Sequence, residues 1–241
     1  MSLIVREVWD YNLMEEISAL MEASSKCDHC FVAMSTNFPS NIFTSKEGKE
    51  VSPYNLMKFN VEATCIIQLG LALCDANGKS FGVWEFNFKD FDERIHSHHI
   101  NTIELLKDQE IYFDYNGVMG IDSLRFARLI LKSGLLSNSR ITWVMFHSDY
   151  DFGYFIKMLT GGEVLPLHQS VYVKHMIKFC DDGVYAGSEL EIVAKTLGLD
   201  REVGRAGSES LLTLQTFMKL EQKYFNGRSL SEFEHVLHDF T

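Results

Sequence analysis

The spacing of apolar residues changes along the chain and predicts which segments are strands and which are helices. Runs of closely spaced β-branched, aromatic and other apolar residues predict buried strands. Apolar residues that recur every three or four positions predict amphipathic helices. The predicted strands are residues 31–38, 65–74, 81–88 and 141–147, and the predicted helices are residues 3–21, 100–109, 121–132, 150–159, 188–197, 207–225 and a last segment through 230–237.

Turn and capping residues refine these predictions. Asn77-Gly78 is suited to the positive φ angles of a tight turn, so 65–74 and 81–88 are predicted to form a hairpin within an opening antiparallel sheet. Gly134 is placed to end a helix, and Ser208 is placed to cap one. Strands followed by helices, a further strand and a helical end predict an α/β fold, with a mixed central sheet flanked by helices.

Composition favours one globular domain. The 241 residues are 46% hydrophobic and 23% charged, and with only three prolines the chain has no Pro-rich linker, so we expect a single domain over residues 1–241. The formal net charge of −11 argues against a broad basic face for nucleic acid. Arg6 interrupts any N-terminal apolar run, and the apolar stretch 63–74 is too short to span a bilayer. We therefore expect a soluble intracellular protein without a membrane segment.

The cysteines indicate neither a disulfide scaffold nor a clear metal site. The chain has five cysteines, an odd number, and several of them lie in apolar runs as buried thiols do. Cys27 and Cys30 have the spacing of a zinc-binding pair, but no second pair with suitable spacing follows. A coincidence at a helix end is favoured over a zinc site.

Eight segments carry a recognisable series of motifs: residues 4–9, 31–34 with 38–39, 66–71, 84–88, 120–124, 146–148, 150–154 and 206–213. In amino-acid sequence and in order along the chain they resemble the CCR-associated factor (Pop-type) deadenylases. These are ribonuclease H-like exoribonucleases that shorten poly(A) tails within the CCR-NOT complex. The resemblance spans nearly the whole chain and implies a ribonuclease H-like fold. It also implies a CCR-NOT scaffold and a partner deadenylase subunit as binding partners, poly(A) RNA as a possible ligand, and a location in nucleus and cytoplasm.

The resemblance also implies a metal-dependent active site. These enzymes hold two divalent cations, Mg²⁺ or Mn²⁺, between four carboxylates and use a histidine as general base. Two cations can stabilise both the attacking water and the departing oxygen of a phosphodiester. Because bound metals rather than arginines then meet the phosphate, an acidic protein of this family can act on RNA.

The first motif departs from the family. It reads Asp-Thr-Glu-Phe-Pro-Gly in the family and Ser-Thr-Asn-Phe-Pro-Ser over residues 35–40 here, so Ser35 and Asn37 replace both of its acids. Serine and asparagine offer oxygen ligands but no charge. We expect a divalent cation to bind weakly at these positions.

The second motif keeps its acid, Asp151, whereas the third departs again. The family reads His-Gln-Ala-Gly-Ser-Asp, and residues 204–209 here read Gly-Arg-Ala-Gly-Ser-Glu. Glu209 therefore replaces the last acid, and Gly204 occupies the position of the general base. The nearest candidates to replace it, His168 and His175, lie far upstream.

Three functions follow from these departures, and one of them is binding of poly(A) without cleavage. The favoured one is a CCR-NOT subunit with a degenerate active site, a pseudoenzyme or a very weak nuclease. The alternative is an active poly(A)-specific 3′-exoribonuclease that uses Asp151 and Glu209 as its metal ligands and catalytic acids. The nearby rings of Phe38, Phe152 and Tyr154 are expected to be core residues more often than base-stacking platforms.

Overall fold

The structure is a computed structural model that describes residues 5–44, 51–146, 148–160, 170–172, 176–177, 180, 185, 188–200 and 204–225. Its six strands form one mixed sheet in the order β1-β4-β3-β2-β5-β6, in which β3 alone runs antiparallel to its neighbours. The strands are Val5–Val8 (β1), Cys30–Asn37 (β2), Gln68–Asp75 (β3), Ser80–Asn87 (β4), Ile141–Met145 (β5) and Ser170–Tyr172 (β6).

Helices cover both faces of this sheet. In the described residues they are Leu13–Ser25 (α1), Pro53–Ala63 (α2), Ile100–Asp108 (α3), Phe113–Met119 (α4), Ser123–Ser133 (α5), Ser148–Thr160 (α6), Leu190–Thr196 (α7) and Ala206–Leu220 (α8). A short 3₁₀ turn follows α5, and a π-helical turn, Glu221–Phe225, follows α8. The predicted α/β fold with a mixed sheet between helices is confirmed, and the last segment predicted through 230–237 lies outside the described residues.

Alternation along the strands separates the two faces. In β2, Val32 and Met34 pack in the core cluster that includes α1, α5 and α6, whereas Phe31 and Ala33 pack in the cluster that includes α8. Successive side chains of a strand point to opposite faces. Position 36 consequently faces the side of α6, and positions 35 and 37 face the side of α8.

Glycine is required where α8 crosses the sheet. A Cβ atom added to Gly70 in β3 would lie 1.8 Å from the backbone oxygen of Ala206, at the first residue of α8. The missing side chain lets the helix backbone approach the strand. This close approach brings the third motif onto the ends of β2, β3 and β4.

Most of the predicted elements are confirmed within a few residues. The hairpin between β3 and β4 turns at Gly78 with a φ of 79°, and Gly134 ends α5 in the left-handed region with a φ of 75°. Residues 5–8, predicted as helix, are instead strand β1, because they pair in parallel with residues 83–86 of β4. Ser208 was predicted as a cap, but α8 begins two residues earlier and Arg205 is its N-cap residue.

Cys27 and Cys30 are joined by a disulfide bond, so their spacing is not the coincidence at a helix end that the sequence favoured. The bond links the segment just after α1 to the first residue of β2. Because zinc is bound by thiolates, the two bonded sulfur atoms cannot serve as zinc ligands. Within the part of the chain that the structure describes, no helix is both long and apolar enough to cross a bilayer.

Candidate functional site

The first and third motifs meet at the carboxyl end of β2. Ser35 faces the first turn of α8, and its Oγ donates a hydrogen bond of 3.1 Å to Oε2 of Glu209. These two residues are 174 positions apart in sequence. The structure therefore brings together two positions that were predicted to share one site.

Asp151 joins the site from the first turn of α6. The backbone N–H of Thr36 and its Oγ1 donate to Oδ1 of Asp151 over 2.8 and 2.6 Å. Only 6% of Asp151 is exposed, and burial raises the pKa of its carboxyl to about 7 although the Thr36 bonds lower it. The charges of Glu209 and Asp149 raise this pKa further. Asp149 is a second buried acid of the same helical turn that the sequence analysis did not single out.

Asn37 is hydrogen-bonded to the neighbouring strand β3. Its Nδ2 donates over 2.9 Å to Oε1 of Gln68, at the start of β3. Gln68 in turn donates from Nε2 to Oδ1 of Asn87 over 2.7 Å and to Oε1 of Glu85 over 3.3 Å. The amide that replaces the second acid of the first motif is thus part of a buried network across β2, β3 and β4.

An ion pair completes this network. Nη2 of Arg205 contacts Oε1 of Glu85, and it also lies 2.9 Å from Oε1 of Glu7 in β1. Glu85 is only 1% exposed and also accepts a hydrogen bond of 3.0 Å from the backbone N–H of Gly207. Burial raises the pKa of Glu85, and Arg205 and the Gly207 bond oppose that rise. Arg205 and the backbone of Gly207 thereby stabilise a buried carboxylate beside the site.

Gln68, Glu85 and Arg205 were missed as site residues, although each lies in or beside a quoted motif. Arg205 follows Gly204 directly, and Glu85 lies within the segment 84–88. An arginine inside a motif where the family has glutamine was the available signal. Its partner could not be identified from the sequence, because the pair joins residues that are 120 positions apart.

No acid–base group is present at the general-base position. Gly204 precedes Arg205, the N-cap residue of α8, and has no side chain. His168 and His175, named as the nearest replacements, lie outside the described residues. The aromatic residues near the site belong to the core as expected: Phe38 stacks on Tyr154 with ring centroids 4.6 Å apart, and Tyr154 is buried.

The residues predicted as metal ligands would fit one divalent cation better than two. Of these, only Asp151 and Glu209 are acids, and Ser35 would add a neutral hydroxyl. Two dications in one site need more negative ligands than this to offset their repulsion. Among the residues that the structure describes, no group of three or more His, Cys, Asp or Glu side chains is arranged to hold a metal.

Comparison with known proteins identifies relatives over the whole length. No family model matches the chain. It is 39% identical to the probable CCR4-associated factor 1 homolog 10 of Arabidopsis thaliana over 264 residues, which cover 98% of this chain and 92% of the relative. It is 31% identical to the poly(A) ribonuclease pop2 of Schizosaccharomyces pombe, over 92% of this chain and 71% of the relative.

Solved structures agree with this assignment. The Mg²⁺- and Mn²⁺-bound S. pombe Pop2p superposes with a TM-score of 0.86 and 29% identity, covering 98% of this chain and 99% of that chain. A chain in the structure of the yeast NOT1 MIF4G domain co-crystallised with CAF1 has a TM-score of 0.78 and 27% identity, over 98% and 96% of the two chains. Exonuclease I, with a TM-score of 0.59, 11% identity and coverage of 81% and 41%, shares the fold alone. The expected ribonuclease H-like fold is confirmed, and the chain belongs to the CCR4-associated factor 1 family.

Proposed function

We propose that this protein is a CCR4-associated factor 1-type subunit of the CCR4-NOT complex that has lost efficient hydrolysis of poly(A). One observation carries the proposal: both neutral residues of the first motif are hydrogen-bonded to other side chains of the protein. Ser35 is bonded to Glu209 and Asn37 to Gln68. As one domain over residues 1–241, the protein acts in mRNA turnover in nucleus and cytoplasm.

Charge is the first reason for weak metal binding. Mg²⁺ gives up its water reluctantly and is usually held by carboxylates in near-octahedral geometry. Ser35 and Asn37 supply no charge. With both acids of the first motif replaced by neutral residues, Mg²⁺ or Mn²⁺ binds weakly here.

The missing general base is the second reason. A positioned base contributes about 10²–10⁴-fold to a hydrolytic rate, and Gly204 cannot supply one. Glu209 is one methylene longer than the aspartate of the family, and a misplacement of about 1 Å can cost about 10²-fold. These losses act in the same direction, although they do not simply multiply.

Retention of Asp151 and Glu209 supports a second candidate, an active metal-dependent poly(A) 3′-exoribonuclease. In that case Asp151 and Glu209 would hold the cation, which would polarise the phosphate and activate water. The ion pair of Arg205 with Glu85 would keep the start of α8, and with it Glu209, in position.

Incubation of the purified protein with a fluorescent oligo(A) and Mg²⁺ or Mn²⁺ distinguishes the two candidates. We expect no ladder of shortened products under conditions in which S. pombe Pop2p degrades the same substrate. The Asp151→Ala variant is the matched control for contaminating nuclease. Shortening that disappears in this variant would establish the active enzyme and refute the loss of hydrolysis.

Binding to NOT1 tests the complex subunit separately. The yeast CAF1 co-crystallised with a NOT1 MIF4G domain supports this partner, because a chain of that structure shares the fold over 98% of the present chain. We expect this protein to co-elute with a NOT1 MIF4G domain in gel filtration. Exonuclease I, which shares only the fold, is the negative control. If this protein and the NOT1 MIF4G domain elute separately, NOT1 is not its partner.

A further inference from the structure

The disulfide bond between Cys27 and Cys30 lies at the opposite end of β2 from the candidate site. Cys30 is the first residue of this strand, and Asn37 is the last. The proposed function places the protein in nucleus and cytoplasm, where glutathione keeps most thiols reduced. Disulfide bonds in such compartments are usually transient or redox-sensing. The pair therefore has a chemistry that the candidate site does not use.

The two cysteines differ in accessibility. Cys30 is completely buried in the core cluster that includes α1, α5 and α6, whereas Cys27 is only partly buried. Thiol–disulfide exchange begins when a thiolate attacks one sulfur of the bond, and access decides which sulfur is attacked. An external thiol therefore reaches Sγ of Cys27, and Cys30 is the leaving group.

Ser24, near the end of α1, provides an acceptor for the reduced pair. Its backbone oxygen lies 3.4 Å from Sγ of Cys30 and 3.9 Å from Sγ of Cys27. Sulfur atoms in a disulfide carry no proton, so neither contact is a hydrogen bond in the oxidised protein. After reduction, either thiol can donate to this oxygen. The buried Cys30 thiol then has a partner, so reduction leaves no buried donor unsatisfied.

The charges around the pair do not activate either thiol. Redox catalysts lower the pKa of their reactive cysteine with a helix N-terminus or a nearby cation. Here the pair follows the C-terminus of α1, the negative end of the helix dipole. Nζ of Lys26 lies 2.9 Å from Oε1 of Glu22, and Asp28 adds a second acid beside Cys27. The pair is therefore suited to be a target of exchange rather than a catalyst of it.

The disulfide bond constrains the chain only slightly. Its two cysteines are three positions apart in sequence, and their Cα atoms are 6.1 Å apart. Disulfides usually join Cα atoms about 4.4–6.8 Å apart, so the backbone accommodates the bond. The stabilisation that a cross-link gives to a fold increases with the length of the loop it closes. A loop this short contributes little, so the fold does not protect the bond strongly from reduction.

We propose that Cys27 and Cys30 form a reversible redox site for thiol–disulfide exchange with glutathione, an inference that rests on the proposed function only for its compartment. The thiolate of one glutathione attacks Sγ of Cys27, the protein S–S bond breaks, and Cys30 receives the electron pair and a proton. A second glutathione then attacks the glutathione sulfur of the mixed disulfide. Cys27 leaves as a thiol with the second proton, and glutathione disulfide is released. The reverse reaction, with glutathione disulfide as oxidant, forms the bond again.

Equilibration of the purified protein in glutathione buffers of increasing oxidised fraction tests this exchange. After an acid quench and alkylation, mass spectrometry of peptides measures the fraction of protein with the Cys27–Cys30 bond. We expect one two-electron transition, with the same midpoint from oxidised and from reduced protein. A bond that persists in reduced glutathione at cellular concentration would overturn the proposal, and so would a bond that does not form again with glutathione disulfide.

Two variants test the order of attack. With glutathione disulfide, Cys30→Ala should accumulate the mixed disulfide on Cys27, whereas Cys27→Ser, the matched control, should leave the buried Cys30 unmodified. Wild type quenched early in its reduction should carry glutathione on Cys27, which tests the order without any substitution. Glutathione on Cys30 in wild type or in Cys27→Ser would refute the assigned order. None of these measurements involves oligo(A) or NOT1, so their failure leaves the proposed function unchanged.

Discussion

A variant that combines Ser35→Asp, Asn37→Glu and Gly204→His is expected to shorten oligo(A) at least about a hundredfold faster than the wild type. The two acids return negative charge to the cation ligands, and a positioned histidine alone contributes about 10²–10⁴-fold. Rates are measured from the product ladder with Mn²⁺ and with Mg²⁺, because Mg²⁺ makes the stricter demand on geometry.

The single variants provide the control for this experiment. Groups that act as a unit are strongly non-additive, so each single change should remain close to the wild-type rate. Adding Asp151→Ala to the triple variant should abolish the gain. If the triple variant folds, binds Mn²⁺ and still leaves oligo(A) intact, the departures in these motifs are not the cause of inactivity, and the proposed function loses its basis.

The Asp151→Asn variant is expected to be more stable than the wild type above pH 7 by up to about 4 kcal/mol. The carboxyl has a pKa of about 7 in the folded state, against about 3.9 in an unfolded chain. Between these values the unfolded state releases a proton that the folded state retains, so stability falls as pH rises through this window. The variant has no such proton, and its amide oxygen can still accept both bonds from Thr36.

Urea unfolding from pH 4.5 to pH 8 measures this effect. The difference in unfolding free energy between variant and wild type should be small at pH 4.5 and should grow until about pH 7. Asp108→Asn, which changes an exposed aspartate in the same way, is the control for net charge. Parallel stability curves for wild type and Asp151→Asn would show that Asp151 is ionised in the folded protein throughout this range.

Local signals were sufficient for the middle of the fold. Asn77-Gly78 predicts the hairpin turn, and the apolar runs on either side predict the two strands, β3 and β4, that it joins. Strand β1 could not be predicted in this way, because four residues with apolar side chains at positions 5 and 8 satisfy helical spacing as well. Its identity as a strand depends on β4, about 80 positions later in the chain.

In the candidate site, too, local motifs were predictable and contacts between distant segments were not. Motif positions gave Ser35, Asn37, Asp151, Gly204 and Glu209, and the structure brings Ser35 within hydrogen-bonding distance of Glu209. The network of Gln68, Glu85 and Arg205 was not predictable, since a lone arginine or glutamine in a sequence gives no indication of its partner. Only the crossing of α8 over three strand ends brings these side chains together.

The bond between Asn37 and Gln68 also has a consequence for restoring the family motif. A single mutation that returned glutamate to position 37 would place its carboxylate against the carbonyl oxygen of Gln68, which also receives the backbone N–H of Ala206. Turning the Gln68 amide over would in turn set its oxygen towards Glu85. Glutamate at position 37 would therefore require the amide network of Gln68 to rearrange.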